Sequence, residues 1–234
     1  GHIPTGTGNG LAASIMFKNK LEYKVENSIV PILNKNTQEI DIAFVETDNS
    51  NHHSFLAVSI GFISDLDINT ESFRFLGSIR YYLGSIIGLY QMRSYNLEIS
   101  YLPTEITNYQ KLSLTDSIPD SWEKINGEFL MVWACNVSHP SYDVFISDEI
   151  NFDDGYHHLV LIRNNISRIE LLWILLDLEN GNILNHPKVI HITTKQYRIE
   201  VDSSQKGIVT VDGEDIGYTN IHVNLENKNM KIIC

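Results

Sequence analysis

The spacing of apolar and polar residues changes several times along the chain, and each change marks an expected element of secondary structure. From residue 39 the period is two, because Ile40, Ile42 and Phe44 alternate with their neighbours, which is typical of a half-buried strand. A polar turn over residues 47–53 leads into the next apolar run, and together they predict a hairpin. Further strands are predicted at residues 56–63, 95–102, 129–137, 156–163, 188–193, 196–201, 207–211 and 221–225.

A helix is predicted shortly after the 56–63 run. Thr70 is expected to be its N-cap, and Glu71 lies in its first turn, where the helix dipole favours an acid. At about 100° per residue, Gly77, Gly84 and Gly88 fall within about 40° of one another. Glycines on one face allow a helix to lie close against a neighbour or a ligand. The segment therefore predicts a helix with a surface of close approach.

Four charged residues accompany this helix. Asp65 and Asp67 follow the apolar run, and Arg74 and Arg80 lie about 60° to either side of the glycine face. In the ordinary interpretation such residues are caps and surface ion pairs, each of which contributes little to stability. In the alternative interpretation, two guanidinium groups flank a ligand site that also contains carboxylates. The helix pattern by itself leaves both interpretations open.

A second helix is predicted over residues 167–179. Ser167 followed three residues later by Glu170 is a capping-box pattern, and Gly181 is expected just beyond the end of the helix. The body of this helix is apolar on almost every side, through Leu171, Leu172, Trp173, Ile174, Leu175, Leu176 and Leu178. A helix of this composition is either deeply buried or lines an apolar cavity.

The chain begins with a glycine-rich segment, GHIPTGTGNG, followed by LAAS. Free backbone N–H groups at the start of a helix make an anion site, and Gly6, Gly8 and Gly10 would let the backbone approach a phosphate. Thr5 and Thr7 could add hydroxyl donors. The segment lacks the Lys-Ser/Thr pair of a Walker A loop, and an ordinary tight turn is the alternative. Because such a loop normally follows a strand, we expect further sequence upstream of it.

Strands outnumber helices and cluster after residue 39, which predicts an α+β fold. We expect a mainly antiparallel β-sandwich substrate domain, preceded by the C-terminal remnant of an α/β nucleotide-binding domain. The expected division is residues 1–34 for the remnant and residues 35–234 for the sandwich. Residues 103–124 are polar and show no periodicity, which predicts a loop.

Composition narrows the classes of function. The 234 residues are 43% hydrophobic, enough for a substantial core, and the net charge of −12 argues against a nucleic-acid partner. Contact with an anionic membrane would have to be local and apolar. Cys135 and Cys234 are expected to be reduced thiols of a cytoplasmic protein. No Cys/His spacing resembles a zinc site.

Four stretches together resemble the lipid kinases of the diacylglycerol-kinase catalytic superfamily, and within it the sphingosine kinase family. They are PTGTGNGLAAS at residues 4–14, GFISDLD at 61–67, FRFLGSIRYYLG at 73–84 and VDGE at 211–214. The likeness runs over nearly the whole chain, with a divergence at residues 103–124. It implies an ATP-dependent kinase that phosphorylates the primary hydroxyl of a long-chain sphingoid base, such as sphingosine.

The resemblance also implies residue roles on the nucleotide side. Backbone donors of the glycine-rich loop would hold the phosphates of ATP, and two arginines would clamp them. Asp212 and Glu214 of the VDGE stretch would lie near the nucleotide, with Asp212 as a candidate ligand of Mg²⁺. The implied nucleotide-binding residues are Gly6, Thr7, Gly8, Asn9, Arg74, Arg80, Asp212, Gly213 and Glu214.

On the lipid side, the resemblance implies that Asp67 faces the ammonium and hydroxyl head of the base, because a carboxylate offers both charge pairing and hydrogen-bond acceptance. The implied apolar contacts of the lipid are Phe62, Ile63, Leu171, Ile174, Leu175 and Leu178. Transient, peripheral contact with a membrane is expected through apolar residues of the 144–152 segment, Phe145 among them.

The resemblance places the catalytic aspartate, in an SGDG motif, upstream of Gly1. We therefore expect no catalytic base among these 234 residues, and an inactive or nearly inactive chain by itself. Two alternatives remain open: a kinase acting on ceramide or diacylglycerol, and a lipid-binding paralogue without catalysis. An ammonium-bearing substrate would need Asp67 far more than an amide-bearing one.

Overall fold

The computed structural model describes residues 2–72 and 79–233, apart from the side chains of Tyr81 and Asn229. Its helices are α1 (Gly10–Lys18), α2 (Ile29–Asn34), α3 (Phe62–Asn69), α4 (Ile79–Gln91) and α5 (Arg168–Asp177). Short 3₁₀ helices form at Val25–Ser28 and Ile183–Asn185. The strands are β1 (Thr37–Thr47), β2 (Asn51–Ser54), β3 (Ala57–Gly61), β4 (Tyr95–Tyr101), β5 (Glu123–Cys135), β6 (His157–Arg163), β7 (Val189–Thr194), β8 (Gln196–Val201), β9 (Val209–Val211), β10 (Glu214–Asp215) and β11 (Ile221–Ile233).

The described strands form one sheet in which all the pairings are antiparallel. From one edge the order is β10-β9-β3-β5-β4-β8-β11-β1-β2, with β6 and β7 branching from β5. The branch lies where the register of β5 against β6 shifts between Phe129 and Met131, shortly after Gly127 at φ 135°. A bulge of this kind bends a strand. The mainly antiparallel α+β fold expected from the sequence is confirmed.

Both faces of β5 are covered, which explains why its second half is continuously apolar. Val132 and Ala134 face the core enclosed by the sheet, whereas Trp133 and Cys135 face α3 and α5 on the opposite side. The sequence of a strand buried on both faces is a continuous hydrophobic run, without the alternation of a half-buried strand. Burial also raises the pKa of the Cys135 thiol, so this cysteine is an unreactive core residue. Cys234 lies outside the described residues.

The expected boundary between the 56–63 strand and the following helix was wrong. Strand β3 ends at Gly61, and α3 begins at Phe62. Gly61 makes this abrupt change possible because its φ is 86° and an added Cβ would lie 2.5 Å from the Leu130 carbonyl oxygen. Thr70 follows the last residue of α3, and its hydroxyl donates to the carbonyl of Leu66. The helix that it was expected to cap includes residues 73–78, which lie outside the described residues.

The glycine face of the next helix packs against α3. A Cβ added at Gly84 would lie 2.4 Å from the Leu66 side chain, and one added at Gly88 would lie 2.6 Å from the Phe62 ring. The expected close approach is thus made to a neighbouring helix. Gly77 and Arg74, which were assigned to the same helix, lie outside the described residues.

Helix α5 has the predicted capping box, in which the Ser167 hydroxyl accepts from the Glu170 N–H and the Glu170 carboxylate accepts from the Ser167 N–H. Its apolar residues are divided between two environments. Leu171, Ile174 and Leu178 are buried, whereas Ile169, Leu172, Trp173 and Leu176 are 42–68% exposed. Neither expectation, full burial or a cavity lining, describes this helix as a whole.

Among the described residues, no helix is both long and apolar enough to cross a membrane.

Candidate functional site

A cavity of about 540 Å³ lies where the N-terminal loop meets β3, α3, α4 and the β9–β10 turn. It joins stretches that are far apart in the sequence. Of the residues predicted for the site, those that border the cavity are Gly6, Thr7, Gly8, Asn9, Phe62, Ile63, Asp67, Arg80, Leu175, Leu178, Asp212, Gly213 and Glu214. Leu171 and Ile174, on the inner face of α5, are fully buried and do not border the cavity. They support the wall rather than form it.

The N-terminal loop is closed by its own side chains. The Gly6 N–H donates to the Asn9 amide oxygen at 2.9 Å, and the Asn9 amide nitrogen donates to the Gly6 carbonyl at 2.6 Å. Asn9 adopts the left-handed conformation directly before α1. An added Cβ at Gly10 would lie 2.3 Å from the Pro140 carbonyl oxygen, so the start of α1 can press against residues 139–140 only because Gly10 has no side chain. The loop is therefore a turn closed by its own hydrogen bonds at the edge of the cavity.

Asp212 has a structural role that the sequence did not reveal. Its Oδ1 accepts hydrogen bonds from the Ser54 hydroxyl at 2.6 Å and from the N–H groups of Leu56 and Ala57 at 3.0 Å each. Its Oδ2 accepts from the Phe55 N–H at 3.0 Å. The carboxylate thus fastens the β9–β10 turn to the segment that leads into β3.

A magnesium site built by the protein alone is not present in the described part of the chain, where no group of three or more His, Cys, Asp or Glu residues is placed to hold a metal ion. The four hydrogen bonds to Asp212 also leave its Oδ1 little capacity for a cation.

Asp67 of α3 and Arg80 of α4 both border the cavity, and they lie close enough for the charge of Arg80 to lower the pKa of Asp67. Arg80 is buried, and its guanidinium donates to the Thr70 carbonyl at 3.4 Å. Burial raises the pKa of Asp67 to about 6, and the positive charge of Arg80 offsets only part of that effect. A carboxyl with such a pKa is poised to gain or lose its proton near neutral pH.

Asp65, two residues earlier, points elsewhere. Its Oδ2 accepts from the Tyr95 hydroxyl at 2.7 Å, and burial raises its pKa. It borders a second cavity of about 340 Å³ between α3 and α4 rather than the main one. The two carboxylates of the GFISDLD stretch therefore serve different sides of α3, as their spacing on a helix requires.

Several bordering residues were missed because they lie on loops and strands without a recognisable motif. The carboxylates that border the cavity are Asp67, Glu71, Asp143, Glu179, Asp212 and Glu214, against one described arginine, Arg80. The net charge of −12 was the available signal. Two hydroxyls, of Ser59 and Thr210, and the Trp133 indole also border the cavity. No sequence signal indicated that these three would meet.

Residues 57–234 match the family model described as the YegS C-terminal NAD kinase beta sandwich-like domain. The chain is similar to sphingosine kinase 2 of Arabidopsis thaliana, with 27% identity over 240 residues, which cover 92% of this chain and 50% of that protein. It is also similar to sphingosine kinase 1 of Mus musculus, with 27% identity covering 91% of this chain and 62% of that protein. The chain thus spans about half the length of the plant relative.

Solved structures share the fold. A protein of Bacillus anthracis str. Sterne, provisionally described as a diacylglycerol kinase, superposes with a TM-score of 0.69 at 18% identity, covering 99% of this chain and 68% of that one. A diacylglycerol kinase structure from the same organism gives a TM-score of 0.60 at 13% identity, covering 99% and 65%. At these identities the likeness concerns the fold alone.

Proposed function

The chain belongs to the family of YegS C-terminal NAD kinase beta sandwich-like domains, and on that premise we propose that it forms the lipid-binding side of a lipid kinase. The reaction would transfer the γ-phosphate of ATP to the primary hydroxyl of sphingosine or a related long-chain base. One observation carries the proposal: a single cavity joins the glycine-rich loop, the Asp67 carboxylate and an apolar wall. Similarity to sphingosine kinases over most of the chain supports it.

The two ends of the cavity would take the two substrates. Residues 1–34, proposed as part of a nucleotide-binding domain, contribute the loop from Gly6 to Asn9, and residues 35–234 contribute the lipid side. Arg80 would bind a phosphate, since a guanidinium offers several donors in one plane. Gly213 and Glu214 also border the cavity, next to Asp212, whose hydrogen bonds hold the turn in place.

Mg²⁺ bound to ATP would neutralise phosphate charge, and the protein's own task is to position the acceptor hydroxyl and to exclude water. Phosphoryl transfer depends largely on such positioning and on charge stabilisation. The hydrogen-bonded loop of Gly6 and Asn9 and the fastened turn of Asp212 are both rigid elements suited to that task.

The charges around the cavity favour a cationic lipid head over a neutral one. Six carboxylates border it and Arg80 is the one described cation, so an ammonium group is attracted there. Asp67 is the carboxylate that combines burial with a position beside the apolar wall. This argument favours a long-chain base over ceramide or diacylglycerol, whose head groups carry no positive charge.

The opposite wall suits an alkyl chain. Phe62, Ile63, Leu175 and Leu178 border the cavity, together with Trp133. Each buried methylene group of a lipid contributes about 0.8 kcal/mol to binding. An apolar wall can therefore hold a long chain without any polar contact to it.

Contact with a membrane is proposed for the outer face of α4 and α5. The 144–152 segment, expected for this role, is unsuited to it because Phe145 packs against Phe17 and His139, while Ile146, Ile150 and Phe152 are buried. The exposed apolar residues of α4 and α5 are Ile79, Tyr82, Leu83, Ile86, Ile87, Tyr90, Ile169, Leu172, Trp173 and Leu176. We name these ten residues the α4–α5 face.

The two helices that carry the α4–α5 face are joined, and the face adjoins the cavity. Arg168 of α5 donates to the carbonyls of Leu89 and Tyr90 of α4, which joins the two helices. Tyr82 borders the cavity and is 60% exposed. A lipid could thus pass from a membrane to the cavity along this face. Because the chain is acidic, insertion of apolar side chains rather than charge attraction would drive the contact.

The experiment that tests the function compares phosphate transfer from ATP to sphingosine, ceramide and diacylglycerol, using this chain and any longer product of the same gene. Transfer to sphingosine, reduced strongly in Asp67→Asn, is the expected result. Equal transfer to ceramide or diacylglycerol would overturn the proposed substrate. Binding of sphingosine without transfer by any form would favour the non-catalytic paralogue.

A further inference from the structure

Three hydroxyl groups meet in the wall of the cavity. The Ser59 hydroxyl lies 2.6 Å from that of Thr210 and 2.9 Å from that of Ser64, and the last two lie 3.2 Å apart. All three side chains are almost completely buried, and Ser59 and Thr210 border the cavity. We call Ser59, Ser64 and Thr210 the hydroxyl triangle.

The fold brings the hydroxyl triangle together from three elements. Ser59 of β3 pairs directly with Thr210 of β9 on one side and with Trp133 of β5 on the other. These residues form a row across the sheet, because side chains of directly paired residues point to the same face. Ser64, in the first turn of α3, covers the row from above.

The hydroxyl triangle can accept a further hydrogen bond without leaving any of its own groups unpaired. In a closed ring, each hydroxyl donates once and accepts once, and each retains a second lone pair. A plain alkyl chain is therefore tolerated beside the ring, since no donor is left unsatisfied. A hydroxyl on the lipid is preferred, because it finds a partner in a wall that is otherwise apolar.

The hydroxyl triangle lies close to the proposed head-group site. Ser64 precedes Asp67 by three residues on α3, and residues at this spacing are neighbours on one helix face. A lipid whose ammonium group pairs with Asp67 would place the next few carbons of its chain against the hydroxyl triangle.

We propose that the hydroxyl triangle selects long-chain bases that carry an additional hydroxyl group a few bonds from the amine. This inference rests on the proposed function, since it takes Asp67 as the partner of the amine. It assigns Ser59, Ser64 and Thr210 as specificity-determining residues of the lipid site.

The test compares the binding of sphinganine and 4-hydroxysphinganine, which differ by one hydroxyl, through displacement of a fluorescent long-chain base. The wild-type chain should bind the hydroxylated base about fivefold more tightly, the effect of one net hydrogen bond. In the triple variant Ser59→Ala, Ser64→Ala, Thr210→Val, the preference should disappear or reverse, because the lipid hydroxyl would be buried without a partner.

Two controls separate selection from stability. Ser100→Ala removes an equally buried serine of β4 that does not border the cavity, and it should leave both affinities unchanged. Thr210→Ser retains the hydroxyl and should retain the preference. Thermal melting identifies any variant that fails to fold. If the triple variant is such a case, the double variant Ser59→Ala, Thr210→Val replaces it, with the same expected loss of preference, because it removes both hydroxyls that border the cavity.

Equal binding of the two bases by the wild type would overturn the inference, as would a preference that survives loss of the hydroxyl triangle. A variant with a lower melting temperature and an unchanged preference would show that the ring only fastens α3 to the sheet. Asp67→Asn should weaken both bases by the same factor. If neither base binds the wild type, the proposed function itself fails, which is distinguishable from failure of the selection.

Discussion

Replacement of Asp67 by Asn should stabilise the folded protein at neutral pH and weaken its binding of a cationic lipid. Burial raises the pKa of this carboxyl from 3.8 to about 6, although Arg80 lies near enough to oppose the shift. Ionised Asp67 is therefore less well solvated in the folded state than in the unfolded chain. Asn has nearly the same shape and carries no charge.

The effect on stability has a defined direction. The unfolded chain releases the Asp67 proton near pH 3.8, whereas the folded protein retains it up to about pH 6. Between these values the folded state binds more protons, so the free energy of unfolding falls as the pH rises. At neutral pH this pKa shift lowers the free energy of unfolding by at most about 3 kcal/mol. Because solvent reaches the cavity, the expected loss is on the order of 1–2 kcal/mol.

Asp67→Asn removes this cost at neutral pH. Its melting temperature should exceed that of the wild type by about 2–8 °C at pH 7, and the difference should shrink towards zero below pH 4. Asp148→Asn is a matched control, because it removes the same charge at an exposed position outside the cavity lining. It should show no such pH-dependent gain.

The effect on lipid binding runs the other way. At pH 5 about one tenth of Asp67 is ionised, and at pH 7 about nine tenths. The affinity of the wild type for sphinganine should therefore rise about tenfold between these values, while the lipid amine remains protonated. The affinity of Asp67→Asn should be lower at pH 7 and independent of pH across this range.

The assay measures thermal melting and displacement of a fluorescent long-chain base at several pH values, for the wild type, Asp67→Asn and Asp148→Asn. An Asp67→Asn protein that melts below the wild type at pH 7 would refute the argument from burial. A pH profile of binding that is identical in both proteins would refute the pairing of Asp67 with the amine.

Three further predictions concern the structure around the site. Asp212→Ala should lower the free energy of unfolding in urea by about 2–4 kcal/mol, since it leaves four donors without their acceptor; Asp215→Ala, in the adjoining strand β10 and exposed, should lower it by less than about 1 kcal/mol. Gly61→Ala should destabilise by about 3 kcal/mol or more, because its φ is positive and a Cβ would collide with a carbonyl oxygen; melting at or near the wild-type temperature would contradict this. Ile86→Glu on the α4–α5 face should reduce co-flotation with phosphatidylcholine vesicles several-fold, whereas Leu33→Glu, on the similarly exposed α2, should not; equal effects of the two would remove the case for the α4–α5 face.

Local chemistry made several elements predictable. The capping box of Ser167 and Glu170 involves residues three positions apart, so its two hydrogen bonds could be inferred without any tertiary contact. The alternation in residues 39–45 identified β1 for a similar reason, because side-chain direction in a strand has a fixed period. The glycine spacing in α4 likewise indicated a face of close approach.

Other features depended on contacts between distant segments. Threonine is a residue type favoured at N-caps. Gly61 nevertheless lets α3 begin at Phe62, so Thr70 follows the last residue of that helix. The apolar residues of α5 gave no sign of which of them would be exposed, because that depends on where α4 and β5 lie. The hydrogen bonds from the backbone before β3 to Asp212 had no local signal, because they depend on the pairing of β9 with β3.

The sequence by itself determined the fold class, the family resemblance and fewer than half of the residues that border the cavity, because each of these depends on local periodicity or on short motifs. The tertiary structure alone decided which of those residues meet. Ser59, Ser64 and Thr210 lie up to 151 positions apart, and only the pairing of β3 with β9 and the turn into α3 bring their hydroxyls within hydrogen-bonding distance. Hydrogen bonds act over about 3 Å, so a contact of this kind cannot be read from spacing along the chain.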